Sequence, residues 1–161
     1  MTKRRKRAIS PSLMLAPSVV VIGSYRENLA GLLAFTKSLS DLGLRILHPP
    51  PQARSIGEDS GFVRLDCDRW QDKGRVQQYV FSLIEESDAV ILYSPSGRIG
   101  ISAALEIGYA FRSNKRILST TPPQDLTIRA LIGYEPSALV KFLRAATAPV
   151  DKRGQDQAPL D

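Results

Sequence analysis

Ala89-Val90-Ile91-Leu92-Tyr93 is followed by Ser94-Pro95-Ser96-Gly97-Arg98-Ile99-Gly100 and then by Ile101-Ser102-Ala103-Ala104-Leu105-Glu106-Ile107-Gly108-Tyr109-Ala110-Phe111-Arg112. The first piece is apolar without alternation, as a strand covered on both faces must be. The second is a run of turn formers. The third is a long apolar segment that reads as a largely buried helix. Strand, glycine-containing loop and helix in that order predict a βα unit.

The same grammar opens the chain's ordered part. Ser18-Val19-Val20-Val21-Ile22 is a second buried strand, Gly23-Ser24-Tyr25-Arg26 a loop, and residues 28–42 a helix. Leu29, Leu32, Leu33, Phe35, Leu39 and Leu42 keep helical spacing there, and Gly43 supplies the stop. Leu44-Arg45-Ile46-Leu47 reads as a strand. Pro49-Pro50-Pro51 and the Gly/Ser-containing stretch after it read as a surface loop, and 62–66 as another short strand. Residues 74–87 carry Val76, Tyr79, Val80, Leu83 and Ile84 on one helical face. Arg116-Ile117-Leu118-Ser119 is a strand, and 126–132 and 137–146 are helices. Alternating strands and helices predict an α/β fold. The expected form is a flavodoxin-like or Rossmann-like doubly wound parallel sheet of about five strands, with helices on both faces. In such sheets ligands sit at the carboxyl ends of the strands. The loops 23–26 and 94–100 are expected to meet there.

A chain of 161 residues and 17.7 kDa holds one domain. Its expected span is 17–146, between a disordered basic arm (1–16) and a flexible tail (147–161). The net charge of +6 is concentrated in the arm: Lys3, Arg4, Arg5, Lys6 and Arg7 are five of the 22 basic residues. The remaining 17 basic residues face 16 acidic ones, so the domain itself lacks the excess of a dedicated nucleic-acid binder. The arm reads as solvated, with weak nonspecific nucleic acid contact as the alternative. Pro11 and Pro17 interrupt the apolar stretch after the arm, which argues against a secretory signal. No 18-residue apolar run predicts a membrane span, and a cytoplasmic protein is expected. One cysteine, Cys67, excludes an internal disulfide framework. One histidine, His48, excludes a multi-histidine metal site. No metal or cofactor is expected.

Glu106 is the only charged residue of its helix before Arg112. A lone carboxylate on a buried helix is either partnered or protonated, and such groups gather at functional sites. The alternative is a surface glutamate with apolar neighbours. Ser96, Gly97 and Gly100 allow close backbone approach to a ligand at the helix N-terminus, where Ser102 stands as cap or donor. A plain turn remains an equal reading. Arg26 is a candidate for pairing with a phosphate and Tyr25 for a bond to Glu106; the alternative is an ordinary βα turn. The P-loop pattern and GxGxxG are both absent.

Several pieces together resemble the nucleoside 2-deoxyribosyltransferase superfamily, which includes deoxynucleoside 5′-monophosphate N-glycosidases. They are Val20-Val21-Ile22-Gly23-Ser24-Tyr25-Arg26, Ser87-Asp88-Ala89-Val90, the Gly97–Gly100 loop, Glu106-Ile107-Gly108-Tyr109-Ala110 and Asn114-Lys115-Arg116-Ile117-Leu118. The likeness spans about residues 18–133. It implies that Glu106 is the nucleophile, attacking the anomeric carbon of a deoxynucleoside or its monophosphate. The resulting glycosyl-enzyme ester then passes to water or to a second base. It implies that Tyr25 orients Glu106, and that Gly23, Ser24, Arg26, Gly97, Gly100 and Ser102 line the sugar or its phosphate. It also implies a homodimer or higher homo-oligomer, with Ala130–Ser137 and the Glu106 helix as candidate contact surfaces.

One departure stands out. The family carries an aspartate on the helix before the Asp88 strand, which helps protonate the leaving base. Here that region reads Gln77-Gln78-Tyr79-Val80-Phe81. Asp66 and Asp68 are substitutes from another element, or else members of a solvated loop. Loss of the acid leaves a second reading open, a noncatalytic nucleotide-binding module. Asp88 is expected to cap or end the preceding helix, His48 to be structural or solvent-facing, and Trp70 to pack or to stack a base.

Overall fold

A computed structural model of the chain describes residues 16–148. The expectations for the basic arm and the tail fall almost wholly outside these residues. In chain order the elements are β1 (Ser18–Gly23), α1 (Tyr25–Asp41), β2 (Arg45–His48), β3 (Ser55–Asp59), β4 (Phe62–Leu65), α2 (Lys73–Glu86), β5 (Ala89–Tyr93), α3 (Ile101–Arg112), β6 (Arg116–Ser119), α4 (Leu126–Leu131) and α5 (Ala138–Thr147).

The main sheet is parallel, in the order β2-β1-β5-β6. β1 and β5 run side by side in its centre, with Val19 to Gly23 opposite Ala89 to Tyr93. Alternate residues of these strands feed two separate cores, which is why the sequence shows no alternation. Val20, Ile22, Val90 and Leu92 pack with Val80, Leu83 and Ile84 of α2 and Ile107 and Ala110 of α3. Val19, Val21, Ala89 and Ile91 pack with Leu32 and Leu39 of α1, and α5 adds Leu139, Phe142 and Leu143. Each fully buried Val, Leu or Ile among them contributes about 1.5–3 kcal/mol. The architecture is therefore a Rossmann-like α/β fold with helices on both faces.

The parallel sheet has four strands. The fifth candidate, at 62–66, does form, as β4, but it pairs antiparallel with β3 in a separate hairpin. β3 lies in the stretch that reads as a loop, and it is exposed throughout, so it carries no apolar pattern to reveal it. The hairpin is closed by Ser60 and Gly61, both at positive φ (48° and 81°), the backbone that a two-residue hairpin turn demands. α1 is broken at Asn28, whose φ of −159° and ψ of 64° are not helical. The Asn28 side chain accepts the Gly31 N–H at 2.8 Å and so caps the longer segment. The first turn, with Tyr25, is set apart from the rest of α1.

Asp88 does not cap α2; Ser87 is the C-cap. Asp88 Oδ2 instead accepts from Ser18 N at 2.7 Å and Ser18 Oγ at 2.8 Å. The carboxylate thus ties the starts of β1 and β5 together, at the end of the sheet opposite the loops. These bonds hold its pKa below the ordinary value. Among the described residues, no helix is long and apolar enough to cross a membrane.

Candidate active site

The chain leaves β1 toward β2 on one side and leaves β5 toward β6 on the other. A reversal of this kind opens a crevice at the carboxyl ends of the two strands. Gly23 marks the spot: a Cβ there would lie 2.4 Å from the Tyr93 carbonyl oxygen, so only glycine lets the two strand ends approach. A cavity of about 580 Å³ occupies the crevice. Its lining comes from the loop after β1, the start of α3, the middle of α2, the end of β2 and the tip of the β3–β4 hairpin. The volume lies within the range that holds a drug-sized ligand.

Glu106 lies on the buried stripe of α3 formed by Ala103, Glu106, Ile107 and Ala110. It is 9% exposed and lines the cavity. Its Oε1 accepts a hydrogen bond of 2.9 Å from Gln77 Nε2. Burial lifts the carboxyl from 4.5 to about 7, and the Gln77 bond opposes the rise. This is the carboxyl that the sequence singles out, and a neutral amide from α2 is its partner.

Tyr25 also lines the cavity, but the expected Tyr25–Glu106 hydrogen bond is not made among the described residues. The Tyr25 hydroxyl pairs instead with His48 Nε2 at 3.0 Å. The reason is sheet order. β2 lies beside β1, in register Val20 with His48, so the end of β2 delivers the imidazole to the first turn of α1. Burial lowers the His48 pKa to about 4, so the ring is neutral at neutral pH. Burial, and then the negative charge of Glu106, push the Tyr25 hydroxyl well above its usual value. Both groups therefore stay uncharged around the carboxyl.

Ser24, Gly100 and Ser102 line the cavity. Gly100 is the N-cap of α3 and brings no side chain to it. Arg26 reaches the cavity too, and its Nε pairs with Glu58 Oε1 of the hairpin at 3.1 Å. Gly97 is not on the cavity wall. It closes a turn to Ser94 and accepts from Gln124 N at 2.8 Å. Its φ of 75° and a Cβ position 2.9 Å from the Pro122 oxygen explain the glycine. Asp66 is also absent from the wall: its carboxylate accepts the Arg54 N–H at 2.9 Å, and its own N–H donates to the Arg54 oxygen. It clamps the base of the hairpin. Asp68 does line the cavity. Its Oδ2 accepts the Leu65 N–H at 2.8 Å, and burial raises its pKa. Trp70 packs edge-on against Tyr79 at 5.4 Å, away from the cavity. Burial pushes the Cys67 thiol up to about 11, which keeps it protonated. Among the described residues, no three His, Cys, Asp or Glu side chains group to hold a metal.

His48, expected to be structural or solvent-facing, is buried against Tyr25, and Gln77, to which the sequence assigns no role, is the partner of Glu106. For Gln77 a signal existed: it falls in the region where the resembled family carries its acid. For His48 there was only its place at a strand's carboxyl end.

No protein-family model matches the chain, and neither does any curated protein. Solved structures share its fold, among them the following two. A conserved protein from Enterococcus faecalis V583 is 13% identical with a TM-score of 0.57, over 80% of this chain and 98% of that one. The Clostridium botulinum CMP N-glycosidase BcmB is 12% identical with a TM-score of 0.50, over 80% of this chain and 95% of that one.

Proposed function

We propose that the chain cleaves the N-glycosidic bond of a nucleoside or nucleoside monophosphate, with Glu106 as nucleophile. The observation that carries this reading is a buried carboxyl on the wall of a ligand-sized cavity at the switch point of the sheet. The fold shared with a CMP N-glycosidase supports the same chemistry. Glu106 attacks the anomeric carbon, the base leaves with the electron pair of the broken C–N bond, and a glycosyl ester remains. Water releases the sugar; a second base in its place would give transfer.

The raised pKa serves this step. The Glu106 carboxyl is held out of water, with Gln77 as its hydrogen-bond partner. The positive charge that develops on the sugar ring meets it in a low-dielectric setting, where attraction is strongest. Gln77 steadies the ionised form, while Tyr25 and His48 add no competing charge. Ser24, Arg26, Gly100 and Ser102 line the same cavity, which supports a role for them in meeting the sugar and any 5′-phosphate.

The test is chromatographic detection of free base from a panel of ribo- and deoxyribonucleosides and their monophosphates, CMP included. Base release by the wild type that disappears in Glu106→Ala and Glu106→Gln, both still folded, is the expected result. Release that persists unchanged in both variants refutes the mechanism. The second reading, a noncatalytic nucleotide binder, is favoured by the amide at Gln77. It predicts thermal stabilisation by nucleotides with no base released over hours.

A further inference from the structure

A base leaving a sugar as an anion is a poor leaving group, so N-glycoside cleavage needs a proton donor as well as a nucleophile. α2 supplies none: Gln77 holds no exchangeable acid proton, and its amide is committed to Glu106. The cavity wall offers few other groups. Arg26 is paired with Glu58. Tyr25 and His48 are bonded to each other, the hydroxyl held far above neutrality and the imidazole far below. Glu27 accepts from Ser96 Oγ at 3.1 Å and is exposed at the start of α1.

Asp68 remains. It follows β4, on a different element from the α3 helix that carries Glu106. Two backbone bonds to Leu65 fix it: Oδ2 accepts the Leu65 N–H at 2.8 Å, and its own N–H donates to the Leu65 oxygen at 3.0 Å. No further hydrogen bond occupies Oδ1 among the described residues. The group is half-buried, and burial favours its protonated form.

We propose that Asp68 is the acid that protonates the departing base, and the base that activates water in the second step. The proposal rests on the reading of Glu106 as nucleophile. In the first step the Asp68 O–H proton passes to the base as the C–N bond breaks and Glu106 bonds to the anomeric carbon. In the second, water attacks that carbon, the electron pair of the ester bond returns to Glu106, and the water's proton passes to Asp68. The sum is nucleoside plus water giving sugar plus base, with both carboxyl groups restored. The acid then stands at the hairpin end, and α2 holds the nucleophile through Gln77.

The experiment compares two leaving groups in one protein sample, so that loss of folded material cancels. One substrate is the nucleoside or nucleotide the wild type cleaves best. The other is the matching 4-nitrophenyl glycoside, whose phenolate leaves without a proton. Asp68→Asn keeps an acceptor for Leu65 N–H, and Asp68→Ala removes it. Both variants are expected to lose roughly 10²–10⁴-fold in kcat/KM on the natural substrate and only a few-fold in kcat/KM on the nitrophenyl glycoside, because kcat/KM reads the first step alone and not the shared hydrolysis of the ester. The alkaline limb of the wild-type pH profile should also vanish on the natural substrate. Equal losses on both substrates, full activity on the natural one, or a retained alkaline limb would overturn the assignment. A nitrophenyl glycoside refused by the wild type leaves the pH limb to decide. Glu106→Gln inactive beside a fully active Asp68→Asn overturns Asp68 alone. A wild type inert on every glycoside overturns the nucleophile reading with it.

Discussion

Burying Glu106 and His48 in one cavity has a thermodynamic signature that does not depend on knowing the substrate. A carboxyl moved from 4.5 to about 7 holds its ionised form about 3 kcal/mol higher in the fold than in the unfolded chain. Between pH 4.5 and 7 the folded state therefore keeps a proton on Glu106 that the unfolded state has released. Stability falls with pH across that window, and the loss is complete above pH 7. An imidazole moved from 6.5 to about 4 does the reverse. The unfolded state binds a proton on His48 that the fold refuses, so stability rises with pH between 4 and 6.5 by a similar amount. Between pH 4.5 and 6.5 the two slopes, each near 1.4 kcal/mol per pH unit, oppose one another.

Single substitutions should expose them. Glu106→Gln keeps the shape of the side chain and an oxygen for Gln77 Nε2 to donate to. Its stability relative to wild type should be near zero at pH 4.5 and climb to about 3 kcal/mol in its favour above pH 7. At roughly 2–4 °C per kcal/mol, that is a rise in melting temperature of roughly 6–12 °C. His48→Gln should show the opposite trend, gaining on wild type as the pH drops from 6.5 toward 4. Urea unfolding and thermal melts at half-unit pH steps measure both. A Glu106→Gln difference that stays constant from pH 5 to 8 would refute a buried, desolvated carboxyl, and with it the electrostatic basis of the proposed chemistry.

Two further changes probe how the fold holds the site. Gly23→Ala should destabilise by about 1–3 kcal/mol in urea unfolding, because the atom its Cβ meets at 2.4 Å is a backbone oxygen that cannot step aside; unchanged stability would show the ends of β1 and β5 to be farther apart. Asp88→Ala should lose about 1–3 kcal/mol by leaving the buried Ser18 N–H without its partner. Asp88→Asn, which keeps an acceptor, should lose less, and equal losses for the two would assign the effect to something other than that bond.

What was legible in the sequence is what depends on neighbours along the chain. The β1 and β5 runs were readable because both faces are buried, and α3 was bounded by a glycine-containing loop and a turn. Glu106 was readable because one charge stands out on an apolar helix. β3 was not, since a strand exposed on all five residues has no pattern to show. The partners inside the cavity were illegible for a different reason. Gln77 meets Glu106 across 29 residues of chain, and His48 meets Tyr25 across 23. Both contacts are products of sheet order: β2 falls beside β1, and α2 packs on the same face as α3. Nothing local distinguishes Gln77 from Gln78, one residue on. The helix phase that carries Val76 and Val80 into the core selects Gln77 for the carboxyl. The same separation explains why Asp66 and Asp68, two residues apart, part company: one takes the Arg54 N–H at the hairpin base, while the other takes the Leu65 N–H and lines the cavity. Nothing in the local sequence tells the two apart, and the pairing of β3 with β4 decides which of them lines the cavity.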